Sequence, residues 1–258
     1  MADSAPNGVE ARAVELAADL ARRLAHDALR ILAEEGIVAA PLKGILLLAR
    51  WPELRGRRDL SDVDLLVSPE DFLRAEQSLQ QLGFVTTSRT NRGATLASVA
   101  WPLSIDLHHD LFTPYLFDMP TARVLQRATL DAQLFDVRVL RLEDKDLFAH
   151  VIGHAVKSRV PPSAPHVVDD LRWLLAALEI DSARYAEHLR QSQMQRAAGY
   201  VLDTSAMALV PGTQEILAAL RLGTTDRAAI GTARLHPTAY WTPHVLNGSA
   251  RRGARSFT

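Results

Sequence analysis

Cysteine is absent from the 258 residues, which removes disulfides, thiolate zinc sites and cysteine nucleophiles together. A chain without thiols is at home in a reducing compartment, so a cytoplasmic location is expected. Lysine is scarce as well: Lys43, Lys145 and Lys157 are the only ones, and the other basic residues are arginine. Net charge is missing too. Lys+Arg 29 against Asp+Glu 30 leaves −1, so no overall field draws the chain to nucleic acid or to an anionic membrane. No apolar run reaches the roughly 20 residues needed to span a bilayer. The opening MADSAPNGVEARAVEL lacks the basic-then-apolar order of a secretory signal. Internal repeats and low-complexity tracts are also lacking.

What is present is ordinary globular material, 48% hydrophobic and 23% charged, enough for one large domain or two modest ones. Val14, Leu16, Leu20, Leu24, Leu29, Ile31 and Leu32 recur at helical spacing and predict a helix over 10–35, closed by Gly36. A short strand is expected over Ile37–Leu42, then a helix over Ile45–Trp51 stopped by Pro52. Val63–Val67 reads as a buried strand, and Ser68-Pro69-Glu70-Asp71 opens a helix that ends near Gly83. Ala94–Trp101 and Leu103–Leu107 form a hairpin about Pro102. From Leu142 the pattern becomes helical: 142–157, 167–178, 182–191, 195–209 and 213–220, broken at Val160-Pro161-Pro162-Ser163 and Pro211-Gly212. The expected organisation is a domain over 1–140, a helical domain over 141–246 closing over its cleft, and a mobile tail over 247–258. Trp51, Trp101 and Trp173 are expected in the core.

The chemistry concentrates between Pro41 and Val67. Ser61-Asp62-Val63-Asp64 runs straight into Leu65-Leu66-Val67, and side chains at i and i+2 on a strand face the same way. Two carboxylates on one face repel unless a cation lies between them. By the same alternation Asp106 and His108, in Ile105-Asp106-Leu107-His108, share a face. Lys43-Gly44 stands between a strand and a helix start, a geometry suited to phosphate because helix N-terminal amides point outward. Magnesium favours a few carboxylates plus phosphate oxygens, and two metals can clamp an in-line displacement at phosphorus.

These residues resemble a known family. A glycine turn, then Asp-x-Asp, then a distant third carboxylate is the pattern of nucleotidyltransferases of the polymerase-beta type. More narrowly, L-K-G, R-x-x-S-D-V-D-L-L-V and I-D-L-H-H resemble an uncharacterised bacterial nucleotidyltransferase family whose members read roughly LKG, RPMSDIDLLV and VELHW. Residues 40–110 carry the resemblance, with weaker similarity around His150, His154 and Asp170-Leu171. It implies an α+β fold with a mixed, twisted sheet followed by an all-helical half. It also implies Mg2+ or Mn2+ held by the catalytic acids Asp62, Asp64 and Asp106, and an NTP whose phosphates meet Lys43, Gly44, Arg58 and Ser61. Lys43-Gly44 replaces the wider superfamily's Gly-Gly or Gly-Ser, and Asp106 stands where the narrower family often has Glu.

Simpler roles compete at several positions. Arg55 and Arg57 read as a solvated turn, and Lys43 reads equally as a surface lysine. His108, His154 and Asp170 are candidate substrate contacts, yet each is also explained by packing or hydrogen bonding. His150 and His154 share a helix face, but Val151 stands where a zinc protease needs glutamate. The expected reaction moves a nucleoside monophosphate from ATP or another NTP to an acceptor that is a small molecule, peptide or protein. No basic stripe points to RNA. The alternative is a non-catalytic nucleotide- or partner-binding module on the same fold.

Overall fold

The computed structural model describes residues 8–58, 60–113, 116–239 and 242–247. Apart from Asn247, the expected tail lies outside them. The chain divides into two compact units, Met1–Leu111 with Thr121–Glu143, and Phe112–Pro120 with Asp144–Thr258.

The first unit is α+β. Helix α1 (Gly8–Glu34) buries a stripe of Ala21, Leu24, Ala25, Ala28, Leu29 and Leu32, the i, i+3, i+4 pattern of a helix with one apolar face. Leu16, counted in that pattern from sequence, is instead 59% exposed. Gly36 has φ 74°, and the Ile37 amide donates back to the Leu32 carbonyl at 2.8 Å, the expected glycine-closed helix end. The following strand is shorter than its sequence suggests. β1 is only Ala40–Pro41, since Pro41 has no amide to extend a ladder and α2 (Lys43–Arg50) starts two residues later. Strand β2 (Asp62–Leu66) leads to α3 (Phe72–Gln80), which begins after the Ser68–Asp71 turn rather than within it.

Strands β3 (Val85–Thr90), β4 (Gly93–Ser98) and β5 (Trp101–His108) complete a five-stranded mixed sheet in the order β1-β2-β5-β4-β3. The β4–β5 hairpin turns at Val99-Ala100, not at Pro102. Pro102 sits inside β5, where its missing amide is harmless because pairing with β2 begins only at Ser104. β2 and β5 are parallel; the other pairs are antiparallel. One face of the sheet is core: Val63, Leu65, Ile105, Leu107, Ala94 and Leu96 are all buried. The alternate positions, Asp62, Asp64, Ser104, Asp106, His108 and Thr95, form the opposite, polar face. After α4 (Thr121–Arg127), a small ribbon of β6 (Thr129–Asp131) and β7 (Val139–Arg141) joins this unit, with the Leu140 amide donating to the Ala39 carbonyl.

The second unit is helical. It contains α5 (Asp144–Lys157), α6 (Pro165–Ala177), α7 (Ser182–Gln191), α8 (Gln195–Leu202), α9 (Thr213–Leu220), α10 (Thr224–Leu235) and the short α11 (Thr242–Val245). α8 stops before the expected Leu209, at Asp203-Thr204-Ser205, whose side chains favour turns over helix interiors. Phe112 is buried here, packing edge-on against His150 with ring centroids 5.8 Å apart. Trp51, Trp101 and Trp173 are only half-buried; the Arg50 guanidinium lies 4.5 Å over the Trp51 ring. Each keeps part of its surface in contact with water, as amphipathic rings commonly do. Among the described residues no helix is long and apolar enough to cross a membrane.

Candidate active site

The parallel register of β2 and β5 sets Asp62 beside Ser104 and Asp64 beside Asp106. Acids far apart in sequence thereby become nearest neighbours on one sheet face. His108, one pleat further along β5, reaches back: its Nε2 donates to Asp64 Oδ1 at 2.9 Å. Lys43 arrives from the other side. The Leu42 amide donates to the Asp64 carbonyl at 3.0 Å, which sets the next residue against the strand. Lys43 Nζ then donates to the same Asp64 Oδ1 at 2.5 Å. The side chains of Lys43, Asp64 and His108 are 15%, 4% and 16% exposed, so this is a sheltered cluster and not a surface pairing.

The two aspartates of the motif are shifted in opposite directions. Burial pushes the Asp64 carboxyl up, but the His108 hydrogen bond and the Lys43 charge outweigh it and hold the group well below the usual carboxylate range. Asp62 is raised by burial first and then by the like charges of Asp64 and Asp106; Lys43 and Arg58 offset only part of that.

Gly44 has a different reason to be glycine from the one its turn position suggests. The positive φ, 47°, belongs to Lys43. At Gly44 a Cβ would run into the Arg58 guanidinium and the Leu60 side chain, so the glycine makes room for Arg58 to lie across the start of α2. Leu42, the N-cap residue, supplies no side-chain cap, and the arginine and the helix's leading amides together favour an anion. Ser61 is exposed immediately before β2.

Asp62, Asp64, Asp106, His108, Lys43, Gly44 and Arg58 thus fall in one neighbourhood of the first unit. His150, His154 and Asp170 belong to the second. His150 is buried, with its ring centroid 6.3 Å from that of His154; Asp170 is buried on α6. Sequence reading did not single out Ser104 and Thr95, which flank the acids on the same face through their pairings with Asp62 and Asp106. Their signal was the same two-residue alternation, weakened because Ser and Thr carry no charge to draw notice.

The donor set suits a hard divalent cation. Asp64, Asp106 and His108 each offer a ligand atom within 4.8 Å of the others, and carboxylate oxygens with an occasional imidazole match magnesium or manganese. Asp62 stands at the edge of this group, linked to it by charge.

No curated protein sequence matches the chain significantly. Solved structures similar to it include two of the antibiotic-resistance factor ANT(2'')-Ia. A solution structure is 18% identical, with a TM-score of 0.49 over 66% of this chain and 88% of that one. A crystal structure with adenylyl-2''-tobramycin is 16% identical, with a TM-score of 0.48 over 65% and 93%. Likenesses this distant transfer neither an acceptor nor a residue role. The pattern of a family described as uncharacterised nucleotidyltransferase fits residues 9–208, well over half of the 258, and the chain belongs to that family.

Proposed function

We propose that the protein transfers a nucleoside monophosphate from an NTP to an acceptor hydroxyl, amine or phosphate and releases pyrophosphate. The observation that carries this reading is the parallel pairing of Asp64 with Asp106, which gives two strands' acids one shared face. Asp62, Asp64 and Asp106 would hold Mg2+ or Mn2+, with His108 bracing Asp64. Bound there, such an ion would stabilise charge on the transferring phosphate. The chain's own residues do the rest. Arg58 and the Gly44 end of α2 hold phosphate oxygens, Lys43 adds a mobile charge, and Ser61 supplies a hydroxyl at the entrance. Asp106 serves as metal ligand, as the base that draws the proton from a hydroxyl or amine acceptor while the new bond to phosphorus forms and pyrophosphate leaves, or as both. We assign this chemistry to residues 1–140 and acceptor selection to the helical half over 141–246, with His154 and Asp170 as candidate contacts. A small molecule, peptide or protein acceptor fits the near-neutral charge better than a nucleic acid does.

The test is transfer of label from each of four α-labelled NTPs, with magnesium, to lysate small molecules and proteins. Asp106→Asn should lower transfer by about 100-fold or more while the circular dichroism spectrum stays unchanged. Undiminished transfer by that variant would exclude the assignment. A second reading draws on Lys43, whose contact already engages Asp64: a module that binds nucleotide or a partner without turnover. It predicts magnesium-dependent NTP binding and no labelled product from any acceptor.

A further inference from the structure

The lysine at the head of α2 is not where a purely phosphate-binding residue would wait. Its ammonium is seated on an acid, Asp64 Oδ1, at 2.5 Å and 15% exposed. Its backbone is held at φ 47°, a region that side-chain-bearing residues rarely adopt. We propose that Lys43 is a resident counter-cation of the acid cluster, which gives up Asp64 to an incoming divalent ion and moves to the nucleotide's phosphates. The inference rests on the metal-site reading above and adds to it an exchange between two cations.

Three features support the exchange. First, the cluster needs a positive charge when no metal is bound, because the β2–β5 register puts Asp62, Asp64 and Asp106 on one sheet face and like charges on one face repel. Second, an ammonium and a divalent ion on the same carboxylate repel one another, strongly in a sheltered site. Binding of the ion therefore expels the lysine. Third, the lysine has a destination. It adjoins Gly44, across which Arg58 lies, so rotation of its four-carbon stem turns the charge toward the anion-favouring end of α2. Lysine suits this as arginine would not, since a guanidinium fork would grip the carboxylate in a fixed plane. In a chain with only three lysines among 29 basic residues, its use here is notable.

The exchange predicts effects of opposite sign on two ligands. In the full-length protein, Lys43→Met should bind Mn2+ alone about tenfold or more tightly than wild type, because the competitor is gone. The same variant should bind a non-hydrolysable NTP analogue, with Mn2+ saturating, about tenfold more weakly. Mn2+ binding is read by electron paramagnetic resonance and nucleotide binding by equilibrium dialysis. In EDTA the variant's melting temperature should fall, and Mn2+ should restore it. Lys43→Gln carries the same expectations should the methionine variant not fold. Wild-type binding of Mn2+ with unchanged or weaker affinity in the folded variants would overturn the exchange and leave the metal site standing. Saturable Mn2+ binding absent from wild type, or unaltered by Asp106→Asn, would overturn the metal site and the exchange with it.

Discussion

Asp62 and Asp64 are one residue type two positions apart, yet they should respond in opposite ways to the loss of charge. Asp64 titrates below its unfolded value, near 3.9. Its charge therefore stabilises the fold above about pH 4, and that contribution is lost as pH falls further. Asp62 titrates above its unfolded value, so its ionised form opposes folding, and protonation on mild acidification relieves the strain. In EDTA, stability should gain from Asp62 as pH falls through its raised pKa, then lose the Asp64 contribution below about pH 4. Asp62→Asn should raise the melting temperature at pH 7 and abolish that early gain. Asp64→Asn should lower stability at pH 7 by on the order of 3 kcal/mol, because it removes the buried carboxylate oxygen that Lys43 and His108 both bind. Thermal melts across pH decide the matter, and a lower melting temperature for Asp62→Asn would refute the contrast. Strand alternation made the shared face of Asp62, Asp64, Asp106 and His108 legible in sequence. The grip of Lys43 on Asp64 was not, because it depends on how β1 pairs with β2.

At the scale of elements, the sheet is most vulnerable where β4 meets β5. Gly93 pairs with His108, and a Cβ there would strike the Leu107 carbonyl and the His108 Cα. Both are backbone atoms in a central strand and have nowhere to go. Gly93→Ala should cost about 3 kcal/mol or more and displace His108 from Asp64, seen as a lower urea midpoint. A midpoint within error of wild type would show that the strand yields. The long helices were readable from periodicity, and Ser182–Gln191 and Thr213–Leu220 match residue for residue. α10 was not, since its inward face is carried by Ile230 and Ala233 alone, too faint an apolar stripe to stand out. The hairpin turn was misplaced because Pro102 usually breaks a strand, and only the short reach of β2 makes it acceptable in β5.

The whole molecule is not a simple tandem of two units. The chain leaves the first unit after Leu111, spends Phe112–Pro120 in the second, and returns at Thr121. There the Asp118 amide donates to the Ser192 carbonyl at 2.9 Å, and Phe112 packs on His150. No local pattern in 112–120 announces this, because membership is decided by partners far along the chain. A fragment ending at Glu143 would therefore carry a stranded apolar segment with Phe112, Leu116 and Phe117, all buried in the intact chain. It should aggregate or elute as oligomers in size-exclusion chromatography, while the full chain does not. A monomeric, well-folded 1–143 would show that the segment finds cover within the first unit.

The parallel pairing of β2 with β5 also governs how this gene can vary. Codons added between Val67 and Phe84 lengthen α3 or its flanking loops and leave Asp64 opposite Asp106. A single codon gained or lost inside Leu65–Leu66 or Ile105–Leu107 turns the remaining side chains to the other face. Descendants of this sequence can drift freely in spacing between their acid motifs, but within each strand the count of residues is frozen.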